Sequence, residues 1–253
     1  MIYVITHKDF DNRYCNSFCT TLLVGANKNK CSTAKWMDNT GDNISDKNAS
    51  FCELTGLYWI WKNSSDDIIG LCHYRRYFSH MSNYFPLCLS PTERDVKKML
   101  GKADLIAPRK LRLSMDGKLT VRRHYAQYHN ISDWDLTKQI VTELYPDYLD
   151  DFLWYENQTE GYCFNMFIGK KTLMDGYCRW LFDILFELER RVDIDTYDAY
   201  NGRLFGFLSE RLINVWIHHK NLVVKELNLF SAEPGFIEKN RQRVIGTIKK
   251  LKH

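Results

Sequence analysis

The chain lacks any apolar run that approaches the roughly 20 residues needed by a membrane-spanning helix. It also lacks the features of a signal peptide, because its first residues, MIYVIT, enter a strand pattern without a basic region or a cleavage site. Its eight cysteines form no CxxC pair and no Cys/His array with zinc-site spacing. We therefore expect reduced thiols, no structural zinc and a cytoplasmic location.

Several functional classes have no support in this sequence. It contains no G-x-x-x-x-G-K-[ST], no G-x-G-x-x-G and no G-x-S-x-G, the motifs of P-loop kinases, dinucleotide oxidoreductases and α/β-hydrolases. The formal net charge is +4, and the last fifteen residues alone contain six Lys and Arg and no acid. Residues 1–238 are therefore slightly acidic, which argues against nucleic-acid binding.

The C-terminal segment is predicted to be a separate element. Four apolar residues recur there at helical spacing among the basic ones: Val244, Ile245, Ile248 and Leu251. We divide the chain into a main domain, residues 1–230, and a basic amphipathic tail, residues 231–253. The tail is either a solvated helix or, through residues 239–253, a peripheral contact with the anionic inner face of the plasma membrane.

Short apolar segments alternate with helical patterns along the main domain. Strands are predicted at residues 2–6, 21–24, 67–72, 103–107, 163–169 and 222–227. Helices are predicted at residues 52–62, 91–100, 171–191 and 204–218. The second helix begins with a capping box at Ser90 and a proline at its first position, and it ends before Gly101. The alternation predicts a single α/β domain with a mostly parallel, open sheet flanked by helices, whose ligands bind beyond the carboxyl ends of the strands.

The stretch IIGLCHYRRYF, residues 68–78, places polar and cationic side chains directly after a buried strand. Arg75 and Arg76 can bind a diphosphate in a bidentate manner, and His73 can donate to a phosphate or sugar oxygen. The alternative is that both arginines pair with local carboxylates while the neighbouring aromatic residues pack in the core.

Other polar residues stand at a strand exit or inside apolar elements. His7 and Lys8 follow the first strand and either contact a nucleotide or belong to an ordinary surface. Glu53 lies among aromatic residues early in a helix, where it either binds a sugar or ribose hydroxyl or satisfies neighbouring backbone. Asn165 interrupts an apolar strand, so its amide needs a partner, which is either a sugar hydroxyl or a backbone bulge.

The carboxylates give one candidate base and one weak metal site. Glu210 lies in an apolar helical pattern and is either a general base with a tuned pKa or the partner of Arg211 in an ion pair. Asp193 and Asp195 form a D-x-D string after the long helix, whereas a metal–diphosphate pair belongs after an apolar strand. The string DWD, residues 133–135, looks like the capped first turn of a helix.

Nine blocks follow one another along the chain: IYVITHKD, VGA, GDNIS, ELTGLYWIWKN, GLCHYRRYF, ADLIAPRK, YCFNMFIGKK, YCRWLFDILFELERR and RLFGFLSERL. Their succession resembles a family of bacterial glycosyltransferases long described as a domain of unknown function and found in capsule, exopolysaccharide and O-antigen gene clusters. The resemblance covers roughly residues 1–230, and the ELTxLYWxWKN and HYRRYF blocks are its most specific parts. It implies a nucleotide-sugar-dependent transferase with the GT-A type of α/β fold and galactose, as pyranose or furanose, as a donor sugar.

The sequence departs from the usual GT-A pattern at the donor site, where most GT-A enzymes have an Asp-x-Asp that holds a metal ion. Here the corresponding strand ends in His73, Tyr74, Arg75 and Arg76. We expect these cations to neutralise the leaving UDP, so that no cofactor is required. A divalent Mn or Mg ion at Asp193 and Asp195 is the fallback.

The nucleotide and sugar roles follow from the same resemblance, which also places Glu210 in a matching block, whereas the role of Glu210 as base is our own inference. The nucleotide would be bracketed by His7, Lys8, Asp42 and Asn43. The sugar would be bound by Glu53, Tyr74, Asn165 and Arg211. Glu210 would deprotonate the acceptor hydroxyl in a single, inverting displacement, with Glu160 as the second choice.

The expected function is transfer of a hexosyl unit from a UDP-sugar to a growing, lipid-linked surface polysaccharide. The alternative is a non-catalytic subunit that binds a sugar or a nucleotide within a polysaccharide assembly system. A phosphotransferase or nucleotidyltransferase has less support, because the chain offers neither well-placed metal carboxylates nor a glycine loop for phosphate.

Overall fold

The computed structural model describes residues 1–81 and 89–232. Within them the strands are β1 (Ile2–Thr6), β2 (Cys19–Leu23), β3 (Trp36–Met37), β4 (Ile68–His73), β5 (Arg76–Ser79), β6 (Leu105–Pro108), β7 (Leu111–Arg112), β8 (Glu160–Gly161), β9 (Phe167–Lys170) and β10 (Val224–Ser231). The α-helices are α1 (Asn48–Phe51), α2 (Leu54–Asn63), α3 (Glu93–Leu100), α4 (Val121–Tyr128), α5 (Ile131–Leu144), α6 (Leu149–Glu156), α7 (Lys171–Arg191) and α8 (Leu204–His219). Short 3-10 turns occur at Ser45–Lys47, Pro146–Tyr148, Ile194–Thr196 and Asn201–Arg203. Of the tail predicted at residues 231–253, Ser231 ends β10, and residues 233–253, with the proposed membrane contact at 239–253, lie outside the described residues.

Eight strands form one mixed sheet, and β7 and β8 form a separate two-stranded ribbon. One half of the large sheet is parallel, with β3, β2, β1 and β4 side by side in that order. In the other half, β9 is antiparallel to both β4 and β6, and β10 is parallel to β6 but antiparallel to β5. The prediction of a mostly parallel sheet is therefore incorrect for this half.

The connections explain the antiparallel strands. Only Tyr74 and Arg75 separate β4 from β5, and a connection of two residues joins antiparallel neighbours, whereas parallel strands need a long crossover. The chain leaves β6 into β7, and β7 pairs with β8 just before β9 begins. The chain therefore enters β9 from the edge at which β6 ended, and β9 has to run in the opposite direction.

Some element boundaries follow the local sequence signals and others do not: the strand predicted at 163–169 is present only as β9, and the helix predicted at 52–62 begins at Leu54. The bounds of β1 and α7 are those predicted. The capping box of α3 is shifted, because Thr92 rather than Ser90 is the N-cap and the Asp95 carboxylate accepts from the Thr92 backbone N–H at 3.0 Å. The Ser90 hydroxyl instead donates to the carbonyl of Tyr14 at 3.0 Å.

Both faces of the large sheet are covered by helices. Tyr3 and Ile5 of β1 belong to an apolar cluster formed with α2, α7 and α8, whereas Ile2 and Val4 pack in a second cluster with α3. This alternation follows from the two-residue period of a strand. Because both faces are buried, the central strands are apolar throughout, which is why they could be recognised in the sequence. No described helix combines the length and hydrophobicity needed to cross a bilayer.

Gly70 lies where β4 passes between β1 and β9, and no side chain fits at this position. A Cβ atom there would come within 2.9 Å of Ile2 Cγ1 and 3.0 Å of Ile168 Cγ1. We expect Gly70→Ala to lower the free energy of unfolding by about 1–3 kcal/mol, the usual penalty for overpacking a core. Urea denaturation measures this change.

Gly176→Ala is the matched control. Gly176 lies inside α7, and a Cβ atom there meets no other atom within 4 Å. The same substitution should here raise the free energy of unfolding by up to about 1 kcal/mol, because alanine is the better helix former. A Gly70→Ala protein as stable as Gly176→Ala would contradict the close packing around β4.

Candidate active site

An open cleft of about 460 Å³ lies beyond the carboxyl ends of β1 and β4. Its walls come from the end of β1, the turn between β4 and β5, the junction of α1 and α2, and the first turns of α8. The sequence-predicted residues that line it are His7, Glu53, His73, Tyr74, Arg75, Arg76 and Glu210. A larger cavity, of about 590 Å³, borders α3 and β10, and none of the predicted site residues lines it. The cleft is therefore the candidate active site.

Three arginines give the cleft a cationic wall. Arg75 and Arg76 are delivered by the turn between β4 and β5, and Arg203 directly precedes α8. The Arg76 guanidinium lies 4.8 Å from the centre of the Phe164 ring, and Arg203 Nε donates to Cys52 Sγ at 3.3 Å. These contacts hold two guanidinium groups at the wall of a concave, partly desolvated site, which suits an anionic ligand.

Tyr74 is the aromatic surface at the entrance of the cleft. The His7 ring packs edge-on against it with 5.4 Å between ring centres, and Lys8 Nζ lies 5.8 Å from the centre of the same ring. Burial lowers the pKa of His7, and the neighbouring Lys8 and Arg75 charges lower it further. His7 is therefore neutral at physiological pH, and the positive charge beside Tyr74 comes from Arg75 and from Lys8, which does not itself line the cleft.

Asn165 joins separate parts of the site from below the cleft. It is only 1% exposed, and its Nδ2 donates to Glu53 Oε1 at 2.7 Å and to Ser209 Oγ at 2.8 Å. The partner required by this buried amide is therefore protein, and Asn165 itself does not line the cleft. It orients Glu53, which does line the cleft.

His73 lies beside Glu53 in the floor of the site. Its Nε2 is 4.0 Å from Glu53 Oε1, and among the described residues this buried nitrogen has no hydrogen-bond partner. Burial lowers the pKa of His73, the Glu53 charge opposes the shift, and Arg76 and Arg75 reinforce it. The ring is therefore neutral, so the positive charge predicted for this motif resides on the two arginines.

Glu210 is the carboxyl group with a strongly altered proton affinity. Burial raises its pKa to about 8, with Glu53 adding to the rise and Arg211, Arg76 and Arg203 opposing it. Glu210 Oε2 accepts from Arg211 Nη1 at 2.8 Å, and the same Nη1 donates to the Phe207 carbonyl at 2.9 Å. The contact between Glu210 and Arg211 weighed from the sequence is present, and the raised pKa of Glu210 suits proton transfer near neutral pH.

Three other predicted residues, Asp42, Asn43 and Glu160, lie away from the cleft. Asp42 and Asn43 belong to a loop beyond β3, where Asp42 Oδ1 accepts from the Tyr58 hydroxyl at 3.1 Å and Asn43 Nδ2 donates to the Gly41 carbonyl at 2.9 Å. Glu160 borders a different cavity, of about 360 Å³.

The fallback metal residues also stand apart. Asp193 and Asp195 are exposed in and beside a 3-10 turn after α7. In the ranges 1–81 and 89–232, no group of three or more His, Cys, Asp or Glu side chains is arranged to hold a metal ion.

Arg203 and Cys52 are site residues that the sequence reasoning missed. Arg203 precedes Glu210 by seven residues, which is two helical turns, so both face the same side of α8. This seven-residue spacing could have been recognised in the sequence. Cys52 has a positive φ of 52°, and the Asn48 side chain donates to its carbonyl at 2.7 Å. No sequence pattern predicts this backbone conformation for a cysteine.

Comparison with known proteins places the chain in a family. Residues 1–221 match the family model described as "Domain of unknown function (DUF4422)", so the chain belongs to that family. Among solved structures, the chain is similar to the apo structure of WbbM, a bifunctional glycosyltransferase, with a TM-score of 0.82 and 30% sequence identity. The match covers 92% of this chain and 45% of the WbbM chain, so this chain spans less than half of that protein's length. No curated protein sequence matches the chain.

The raised pKa of Glu210 predicts a pH-dependent contribution to stability. The folded protein keeps a proton on Glu210 at pH values where the unfolded chain, with the ordinary value of 4.5, has released it. The contribution of Glu210 to the free energy of unfolding is fully present below pH 4.5 and is lost as the pH rises towards 8. We therefore expect Glu210→Gln to gain stability relative to the wild type between about pH 5 and about pH 8, measured by urea denaturation.

Glu160→Gln, which removes an exposed carboxylate outside the cleft, is the control for the change of residue type. If the stability difference between Glu210→Gln and the wild type stays constant over this pH range, the Glu210 pKa is not raised.

Proposed function

We propose that the chain is a glycosyltransferase that moves a hexosyl unit, galactosyl as pyranose or furanose, from a UDP-sugar to a growing surface glycan. The observation that carries the proposal is the cleft that brings three arginines and a proton-accepting glutamate together beyond the carboxyl ends of β1 and β4. The likeness to WbbM supports the same class of reaction. The parallel half of the sheet, with its ligand cleft at the strand ends, supports a fold of the GT-A type.

The arginines are proposed to bind the donor diphosphate. Arg75 and Arg76 extend from one turn, and Arg203 faces them from the start of α8. Charge-assisted contacts with guanidinium groups are strong and bidentate, and they would stabilise the charge that develops on the leaving UDP. This arrangement supports transfer without an obligatory metal cofactor, with a divalent Mn or Mg ion as the alternative.

The nucleotide and the sugar are proposed to lie on either side of the diphosphate. Tyr74 offers an aromatic face for the nucleotide, with His7 and Lys8 beside it. Glu53 is held by Asn165 in an orientation that suits a sugar hydroxyl. Arg211 is a positioning residue in this proposal, since its guanidinium is bonded to Glu210 and to the backbone of α8.

Glu210 is proposed to be the general base of a single, inverting displacement. Its carboxylate takes the proton of the acceptor hydroxyl while the hydroxyl oxygen attacks the anomeric carbon and the bond to UDP breaks. A pKa of about 8 places the group where proton transfer is efficient near neutral pH. The proposed acceptor is a lipid-linked glycan at the cytoplasmic face of the membrane.

The diphosphate assignment predicts a loss of donor affinity in arginine variants. Removing one charge-assisted contact costs about 1.5–3 kcal/mol, so Arg76→Ala should weaken UDP-galactose or UDP-galactofuranose binding roughly 10- to 100-fold. Isothermal titration calorimetry, with EDTA and separately with Mn²⁺, measures the dissociation constant. Arg75→Ala should also weaken donor binding.

Arg122→Ala is the matched control for loss of an arginine. Arg122 lies on α4 and pairs with both carboxylate oxygens of Asp135, at 2.8 and 2.9 Å, outside the cleft. Its donor affinity should equal that of the wild type. Binding seen only with Mn²⁺, with Arg75→Ala and Arg76→Ala unaffected, would move the diphosphate to a metal site and overturn the arginine assignment.

The base assignment predicts a loss of turnover without a loss of donor binding. Glu210→Gln should lower the transfer rate by about 10²- to 10⁴-fold, the usual contribution of a positioned general base. The wild-type kcat/KM should rise with pH and level off above about 8, because the base acts in its ionised form. The Gln variant should lack this dependence. Unchanged turnover in Glu210→Gln would exclude this residue as the base, and donor binding without any turnover in the wild type would favour a non-catalytic binding subunit.

A further inference from the structure

Glu210 faces a second cavity in addition to the cleft. This cavity, of about 240 Å³, lies between β7, the start of α4 and the segment that joins β8 to β9. We call it the ribbon cavity, lined by Leu111, Leu113, His124, Phe164, Glu210 and Arg211 among others. Among residues 1–81 and 89–232, Glu210 is the one that lines both the cleft and the ribbon cavity. One carboxyl group therefore borders both the cleft and the ribbon cavity.

The chemistry of the ribbon cavity differs from that of the cleft. Six of its eleven lining residues are aromatic or aliphatic, and its two arginines are Arg112, which is exposed, and Arg211, whereas the cleft has three arginines. Burial lowers the pKa of His124, and the Arg211 charge lowers it further, so the histidine is neutral. Arg211 is already bonded to Glu210. The cavity therefore suits an uncharged ring with apolar faces and hydroxyl groups, which is the chemistry of a sugar.

A second contact joins the two spaces. Arg76 lines the cleft and Phe164 lines the ribbon cavity, and the guanidinium lies 4.8 Å from the ring centre. The group proposed to hold the donor diphosphate is thus packed against a wall of the neighbouring cavity. Donor and second ligand would then lie next to each other at Glu210.

We propose that the ribbon cavity is the acceptor subsite and holds the terminal neutral sugar ring of the glycan, with one hydroxyl directed at Glu210. This inference rests on the proposed function. In a single displacement the acceptor oxygen attacks the anomeric carbon on the side opposite UDP. Its proton passes to the Glu210 carboxylate, the new C–O bond forms, and UDP leaves with the electron pair of the broken bond.

The size of the ribbon cavity limits what enters it. Its volume of about 240 Å³ is below the ~300–1,000 Å³ of sites for drug-sized ligands, so it accommodates one ring. The rest of the glycan then extends past Leu111, a leucine of β7 that is 44% exposed. Exposure of a large apolar residue at the mouth of the cavity fits contact with the apolar face of a further sugar or with an aglycone.

Two adjacent residues allow a matched test. Leu111 borders the ribbon cavity, whereas Lys110 borders the separate 360 Å³ cavity and has its ammonium 5.4 Å from the centre of the Tyr162 ring. Leu111→Trp should obstruct the ribbon cavity, and Lys110→Trp adds the same bulk one residue earlier, beside the other cavity. His124→Trp, which narrows the ribbon cavity from α4, is the second obstructing variant should Leu111→Trp fail to fold.

The probes are UDP-galactose and UDP-galactofuranose as donors and octyl glycosides of galactose, glucose, mannose and N-acetylglucosamine as acceptors. Transfer is followed by the mass of the product. Acceptor binding to the UDP-loaded protein is followed by saturation-transfer difference NMR. We expect Leu111→Trp to raise the acceptor KM at least tenfold while the calorimetric donor Kd stays within twofold. Lys110→Trp should leave both values unchanged.

The outcomes separate this inference from the proposed function. If the wild type binds no UDP-sugar, the proposed function fails and the acceptor subsite fails with it. If the wild type transfers sugar and the acceptor KM of Leu111→Trp and His124→Trp equals that of the wild type, only the acceptor subsite is wrong. A rise in acceptor KM in Lys110→Trp alone places the acceptor in the other cavity and also overturns the inference. A wild type that binds donor but neither binds nor modifies any octyl glycoside overturns it as well.

Discussion

The amide of Asn165 is the contact on which the arrangement of the candidate site depends. It binds Glu53 at the entrance of α2 and Ser209 in α8, two segments more than 150 residues apart in the sequence. The Ser209 hydroxyl in turn donates to the Gly206 carbonyl at 2.8 Å, so α8 is anchored one residue before Glu210. Because the amide is buried, its hydrogen bonds have no competition from water, and loss of either acceptor would leave an unsatisfied polar group.

Charge balance in the cleft follows from that anchoring. Glu53 and Glu210 are both held at the cleft wall, and the Glu53 charge helps to raise the pKa of Glu210. The arginines act in the opposite direction, yet burial outweighs them. The site thus holds positive charge for an anionic ligand and, on α8, a carboxyl group that remains protonatable. An anion-binding site needs positive charge, and positive charge usually lowers the pKa of a nearby carboxyl group. Here both features are present because different elements supply them.

Local patterns in the sequence predicted the parts of the fold that are determined locally. The apolar run of β4 and the helical period of α7 were recognisable because the burial of each element is visible in its own stretch of sequence. The direction of β9 was not, since it depends on where β7 and β8 pair, and nothing within residues 167–170 encodes that pairing. In the same way, the sequence indicated that the Asn165 amide needs a hydrogen-bond partner. That its partners are Glu53 and Ser209, and not a ligand, depends on the tertiary structure. Asp42 and Asn43 were placed by block order alone, and their loop bonds to Tyr58 and Gly41 instead.

The short link between β4 and β5 has a consequence for how the arginine wall behaves. Residues 74 and 75 alone connect two strands of the sheet, and the Tyr77 hydroxyl donates to the Tyr74 carbonyl at 3.0 Å across that turn. The backbone that carries Arg75 and Arg76 therefore cannot open like a lid without breaking sheet pairing. Little ordering entropy is lost when an anion arrives, and the dipoles need little reorganisation as charge develops on it. Any opening of the cleft has to come from other segments, because the turn that carries these arginines is tied into the sheet.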